Sequence, residues 1–107
     1  MNLMERRESL HEALQHPNVR AFLRAIRLGE GTSDALGYRR IVGGGEFTSY
    51  AKHPGIKVRI VRYNVVSTAA GAFQFIAGTW RGLVEQYGFP DFSPSCQDEG
   101  AVALVIE

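Results

Sequence analysis

Glu30 stands between Gly29 and Gly31, where a helical periodicity runs out. Val19, Phe22, Leu23 and Ile26 recur at the spacing of one helix face, and Arg20, Arg24 and Arg27 line another. A helix C-terminus carries partial negative charge, so a carboxylate there is disfavoured as the anion, and partial burial would add to that. Both effects raise its pKa, as a general acid working near neutral pH requires. The plainer alternative is that the two glycines end a helix and Glu30 is a solvated surface residue. Other residue groups offer less. The run from His11-Glu12 to His16 resembles a zincin motif, but the second histidine falls at i+5 instead of i+4 and leaves the common helix face. No metal site is expected, and no cofactor. Gly43-Gly44-Gly45 lacks the strand, lysine and following helix of a phosphate cradle. Cys96, the only cysteine, has no histidine near it in a recognisable motif and reads as an inert small side chain.

The elements that must position Glu30 follow from pattern. Leu3 to Gln15 reads as a polar helix anchored by Leu3, Leu10 and Leu14, and Pro17 suits the first turn of the helix that carries Glu30. From Gly37 to Asn64 the periodicity shortens. Tyr38 to Val42 and Phe47 to Tyr50 predict a hairpin around the triple glycine, and Lys57 to Val65 predicts a further strand or extended loop. Between Ala70 and Tyr87, residues Phe73, Ile76, Trp80, Leu83, Val84 and Tyr87 share one face and predict the strongest helix, closed by Gly88 and Pro90. Ser93-Pro94 opens a last helix, which runs to Glu107 without a stop signal. Helix, small β region and helical lobe make an α+β arrangement, and 107 residues suit a single domain, 1–107.

The net charge of +1 hides an asymmetry: residues 17–62 carry nine Lys or Arg against three acids, and the remainder carries three against eight. A basic half suits an anionic polymer, nucleic acid or bacterial wall, or simply a solvated face. The N-terminus has no apolar core of a signal peptide, and no long apolar run follows, so neither membrane insertion nor signal-directed export is expected.

Four blocks, RLGEGT at 27–32, YRRIVGGGEFTSYAKHP at 38–54, STAAGAFQF at 67–75 and DFSPSCQDEGAVAL at 91–104, resemble the lambda-type phage endolysins in their order and spacing. These are lysozyme-fold muralytic enzymes, often described as lytic transglycosylases. The resemblance implies a lysozyme-like α+β fold and cleavage of the β-1,4 bond between N-acetylmuramic acid and N-acetylglucosamine in bacterial peptidoglycan. It implies that Glu30 is the acid that protonates the leaving oxygen. It also implies that Tyr50, Ser67, Thr68, Gly71 and Gln74 line the sugar cleft. Tyr50 would stack on a sugar ring or pack in the sheet, and Gln74, at a helix start, would hydrogen-bond an N-acetyl group or simply sit exposed, the resemblance favouring the first. The chain departs from the family at Ser49 and Lys52, where acids are usual, and lacks an arginine in its Ala70-to-Gln74 block. The family's C-terminal portion is missing, which would expose apolar surface on the last two helices and invite self-association.

Most glycosidases use two carboxylates. Asp34 and Glu46 are the nearby candidates for the second, or plain turn residues. One glutamate suffices if the muramic acid's own 6-hydroxyl attacks the anomeric carbon. The family resemblance also implies a phage product made in the host bacterial cytoplasm and released to the wall through a holin. Two rivals predict other behaviour: a peptidoglycan-binding or subunit-pairing remnant without turnover, and a nucleic-acid binder using the basic stretch. No recognition-helix pattern accompanies that charge, so nucleic acid is not the expected partner.

Overall fold

The computed structural model describes residues 1–106, so the last residue of the helix expected to run on to Glu107 lies outside the described residues. Asn2 caps helix α1 (Leu3–Ala13) through a reciprocal pair, its side chain accepting from the Glu5 amide at 2.8 Å while the Glu5 carboxylate accepts from the Asn2 amide. Of the three expected anchors Leu10 is buried and Leu14 is partly buried, whereas Leu3 is largely exposed. Arg6 donates to the Gln86 carbonyl and Arg7 pairs with the buried Glu99, which ties α1 across the two later helices.

Pro17 starts α2 (Pro17–Glu30) where its missing N–H costs nothing. The helix stops at a left-handed Gly31 (φ 71°), with the Thr32 amide donating to the Arg27 carbonyl and the Gly31 amide to the Leu28 carbonyl. Glu30 is therefore the last helical residue, as its flanking glycines predicted.

The hairpin turn lies at the triple glycine, as the sequence suggested, but it is short: the Ile41 amide donates to the Gly45 carbonyl and the Phe47 amide to the Arg39 carbonyl, a single bridge between Arg40 and Glu46. The other edge of the arm 40–42 pairs with residues 69–71, the Val42 amide donating to the Ala69 carbonyl and the Gly71 amide to the Arg40 carbonyl. A long-range partner thus joins the local hairpin on its far edge. The regular two-stranded sheet comes later, β1 (Val58–Ile60) antiparallel to β2 (Val65–Ser67), in register Val58 to Ser67 and Ile60 to Val65. A short 3₁₀ turn at Val61–Tyr63 and a left-handed Asn64 join them.

The helix expected from Ala70 begins only at Ala77 (α3, Ala77–Tyr87). Residues 70–76 form a tight turn closed by the Ala70–Phe75 bridge, with Gly71 at φ 85° and Gln74 at φ 54°, values no right-handed helix accommodates. Trp80, Leu83 and Tyr87 keep their buried face, but Ile76 is exposed and Phe73 turns aside to meet Tyr38 edge-on. Ser93 and Pro94 open α4 (Pro94–Ile106) as expected, the Ser93 hydroxyl accepting from the Cys96 amide.

The core gathers around Phe92, which has no solvent exposure and lies within 4.8–6.2 Å, ring centre to ring centre, of Trp80, His53, Phe47 and Phe75. Trp80 stacks on Phe89 at 5.2 Å. With the helices and small sheet around this aromatic cluster, the architecture is α+β. Phe22 on α2 and Val105 on α4 remain about half exposed around a small apolar groove of about 160 Å³, and Leu104 on α4 is exposed as well.

Two glycines give the packing opposite tests. A Cβ on Gly100 would lie 2.6 Å from the Trp80 ring, whereas one on Gly78 would meet nothing within 4 Å. Gly100→Ala should destabilise by about 1–3 kcal/mol through overpacking. Gly78→Ala should stabilise by about 0.5–1 kcal/mol through helix propensity. Urea unfolding midpoints of the two variants read out the opposite signs.

Candidate active site

Glu30 is exposed at the end of α2, so the partial burial that would add to the helix-end effect is absent; the αL turn at Gly31 carries the chain away from it. Among the described residues its carboxylate has neither an ion pair nor a hydrogen bond. The segment that follows is strapped down firmly. Arg27 donates through Nε and Nη2 to the Thr32 carbonyl at 3.0 and 2.6 Å, and through Nη2 to the Asp34 carbonyl at 3.0 Å. Its guanidinium lies 4.4 Å from the centre of the Tyr38 ring. Thr32 is fully buried, and its hydroxyl donates to the Ala72 carbonyl. This bond joins the end of the Glu30 helix to the 67–75 loop. Gly37 closes the strap, since a Cβ there would sit 1.8 Å from the Thr32 carbonyl oxygen.

The loop brings four of the five expected sugar-lining residues together, and each has a structural task. The Ser67 hydroxyl accepts from the Ala69 amide at 3.2 Å. Thr68 accepts the Ala77 amide at 2.9 Å and so caps α3 from outside it. Gly71 is buried and makes no cleft surface: a Cβ there would lie 2.4 Å from the Gln97 side-chain oxygen. Gln74 is not at a helix start. Its Nε2 donates to the Arg40 and Gly71 carbonyls at 3.2 and 2.8 Å, which uses both hydrogens and leaves Oε1 as an acceptor. Tyr50 packs edge-on against Phe47 at 5.8 Å, and its carbonyl accepts the Phe92 amide, so the residue is set against the aromatic cluster and is half-exposed.

Both nearby carboxylates are held by arginines. Asp34 takes a two-point contact from Arg40 at 2.9 and 3.0 Å, and that hydrogen bond holds its carboxyl below the usual range. Glu46 lies 3.7 Å from Arg39. Cys96 is buried, and burial pushes its thiol up, away from nucleophilic use at neutral pH. His11 ends up in α1, and His16 lies beyond it at the N-cap of α2. No cluster of three potential metal ligands occurs among the described residues, and no described helix is long and apolar enough to cross a membrane.

Pattern reading missed three groups that build the site. Gln97, fully buried, accepts from the Ala72 amide at 2.9 Å and donates to the Phe92 and Tyr38 carbonyls at 2.8 and 3.1 Å. It stands in the polar run Gln97-Asp98-Glu99, and nothing in the sequence marks it out from its neighbours. Tyr38 donates to Asp98 at 2.7 Å, and burial raises the Asp98 carboxyl above its ordinary value. His53, half-buried against Phe92, bonds the Phe75 carbonyl through Nε2 and accepts the Gly55 amide at Nδ1. It lines a cavity of about 410 Å³ with Lys52, Trp80, Arg81 and Asp91.

Residues 20–107 match the family model described as Endolysin. The chain is 40% identical over 94 residues to the endolysin of Escherichia phage lambda, which covers 82% of this chain and 59% of that protein. It is 35% identical over 106 residues to the endolysin of Escherichia phage P2, covering 86% and 64%. Among solved structures it is similar to bacteriophage lambda lysozyme complexed with a chitohexasaccharide, with a TM-score of 0.71 at 36% identity over 82% of this chain and 59% of that one. The chain thus spans about 60% of the length of the relatives it matches.

Thr32→Val removes the hydroxyl that reaches Ala72 while keeping shape. It should cost about 1–3 kcal/mol in denaturant unfolding by orphaning a buried carbonyl, and Thr32→Ser should recover most of the loss. His53 gives a pH test. Burial holds its imidazole below the ordinary 6.5. The unfolded chain therefore takes up the proton first, so the stability contributed by neutral His53 is present above pH 6.5 and is lost as pH falls through the folded value. Urea midpoints at pH 7.5 and 5.5 should separate for the parent, and less so for His53→Asn.

Proposed function

The chain belongs to the endolysin family, and from that premise we propose that it cleaves the β-1,4 MurNAc–GlcNAc bond of peptidoglycan with Glu30 as acid and base. The observation that carries this reading is the division among the carboxylates. Asp34 and Glu46 are engaged by Arg40 and Arg39, whereas Glu30 alone of the three is uncommitted, at the end of a strapped helix. A single available carboxylate suits transglycosylation better than a two-carboxylate hydrolysis. Glu30 donates its proton to the glycosidic oxygen as the bond to the muramic anomeric carbon breaks. The 6-hydroxyl oxygen of the same muramic acid bonds to that carbon, and its proton returns to the Glu30 carboxylate. The products are a 1,6-anhydro sugar and a free 4-hydroxyl, with no water consumed.

On this reading Gln74 contributes its one unused atom, Oε1, as acceptor for an N-acetyl N–H, and the half-exposed Tyr50 ring offers a platform beside it. Ser67, Thr68 and Gly71 act by shaping the loop. The biological setting we propose is lysis of the bacterial host of a phage, with release of the protein to the wall by a holin-type partner. The exposed apolar residues Phe22, Leu104 and Val105 suit self-association on the helical side.

Because Glu30 is exposed and unpartnered, Glu30→Gln should leave the unfolding midpoint unchanged and reduce release of soluble muropeptides by at least ~100-fold, the usual contribution of a general acid. Mass spectrometry of the parent's products should show 1,6-anhydro ends. Reducing ends would make the reaction a hydrolysis, and retained activity in the variant would remove Glu30 from the chemistry. Wall binding with no product released by the parent would make the chain a binding protein.

A further inference from the structure

The arginine row of α2 is the feature that the reaction leaves unused. Arg20, Arg24 and Arg27 line a cavity of about 240 Å³ together with Leu14, Leu23, Phe73, Tyr38 and Asp98. Arg27 is committed to the Thr32 and Asp34 carbonyls and to the Tyr38 face, so it serves as a fixed wall. The guanidiniums of Arg20 and Arg24 have no ion pair or hydrogen bond among the described residues, although Asp98 lines the same cavity. Asp98 is occupied by the Tyr38 hydroxyl. The cavity therefore combines two uncommitted guanidiniums with an apolar and aromatic floor, a combination suited to an anion carried on a partly apolar chain.

We infer that this cavity binds the carboxylates of the acidic stem peptide attached to the muramic acid of the wall. The inference rests on the proposed peptidoglycan reading and adds a second contact, to the peptide instead of the glycan. Position along the helix supports it. At 1.5 Å per residue, Arg24 and Arg20 lie about 9 and 15 Å from Glu30 along the axis. At 100° per residue, Glu30 lies about 80° around the helix from Arg20 and about 120° from Arg24, so a peptide leading from it must wrap partly around α2. An extended peptide rises about 3.3 Å per residue, so three to five residues leading away from a sugar at Glu30 reach both arginines. Charge complementarity selects the peptide part of the wall, since the N-acetylated sugars are themselves uncharged.

The test is binding without turnover, by calorimetry, with a muramyl tripeptide free acid as probe. Its carboxyl-amidated form, inorganic phosphate and a DNA duplex serve as comparisons. The expected result is binding of the free acid that weakens about tenfold on amidation and about tenfold in Arg20→Gln/Arg24→Gln, the order expected for two partly exposed charge pairs. Equal affinity for the amidated form, or an unchanged affinity in the double variant, overturns the proposal. Phosphate bound as tightly as the tripeptide would make this a general anion site and overturn the peptide assignment. Duplex binding lost in the same double variant would assign the arginines to nucleic acid and overturn it equally. The two readings fail separately. A chain that binds the tripeptide through these arginines but releases nothing from the wall keeps the cavity and loses the catalytic reading. A chain that releases products but ignores the tripeptide does the reverse.

Discussion

Everything near the proposed site hangs on one buried amide. Gln97 sits on α4 with no solvent exposure and satisfies the Ala72 amide and the Phe92 and Tyr38 carbonyls at once. Those partners belong to three separate stretches of chain, all outside the α-helices and the two-stranded sheet. An unpaired amide in this interior would cost several kcal/mol, so the arrangement is close to all-or-none. It also dictates its neighbour: Gly71 lies too close to Gln97 to carry a Cβ, and its positive φ bends the loop that carries Gln74.

The second half of the device is the strap after Glu30. Thr32 is fastened from one side by Arg27 on its carbonyl and from the other by its own hydroxyl on Ala72. The end of α2 and the 67–75 loop therefore share a polar seam that runs through Ala72 to Gln97. A carboxylate at the end of such a helix is placed by its backbone and needs no side-chain partner to hold it. That is the physical sense in which an exposed, unpaired glutamate can still be a positioned one, and it is why the division of labour among Glu30, Asp34 and Glu46 bears on the chemistry proposed.

Legibility in the sequence followed the range of the forces involved. The end of α2 at Glu30, the start of α4 at Ser93-Pro94 and the stop at Gly88 all rest on local backbone chemistry, and all were read correctly. Two errors share a cause. The apolar stripe of 70–87 included Phe73 and Ile76, yet these belong to a turn whose geometry comes from pairing with residues 40–42. That same pairing occupies the far edge of the arm 40–42, whose expected pairing with 47–50 is only one bridge long. Periodicity cannot register a competitor thirty residues distant.

The sequence by itself determined that Glu30 ends a helix, because the glycine that follows it adopts φ values other residues avoid. It also determined the α+β order of elements and, through four spaced blocks, the family. Only the tertiary structure decided that Asp34 and Glu46 are taken up by arginines and that Gly71 is buried. It alone decided that Gln74 has one free atom and that the Arg20 and Arg24 guanidiniums have no partner among the described residues. These are matters of which polar groups remain once every buried one is satisfied. That balance closes only over contacts remote in the chain, where local propensity carries no information.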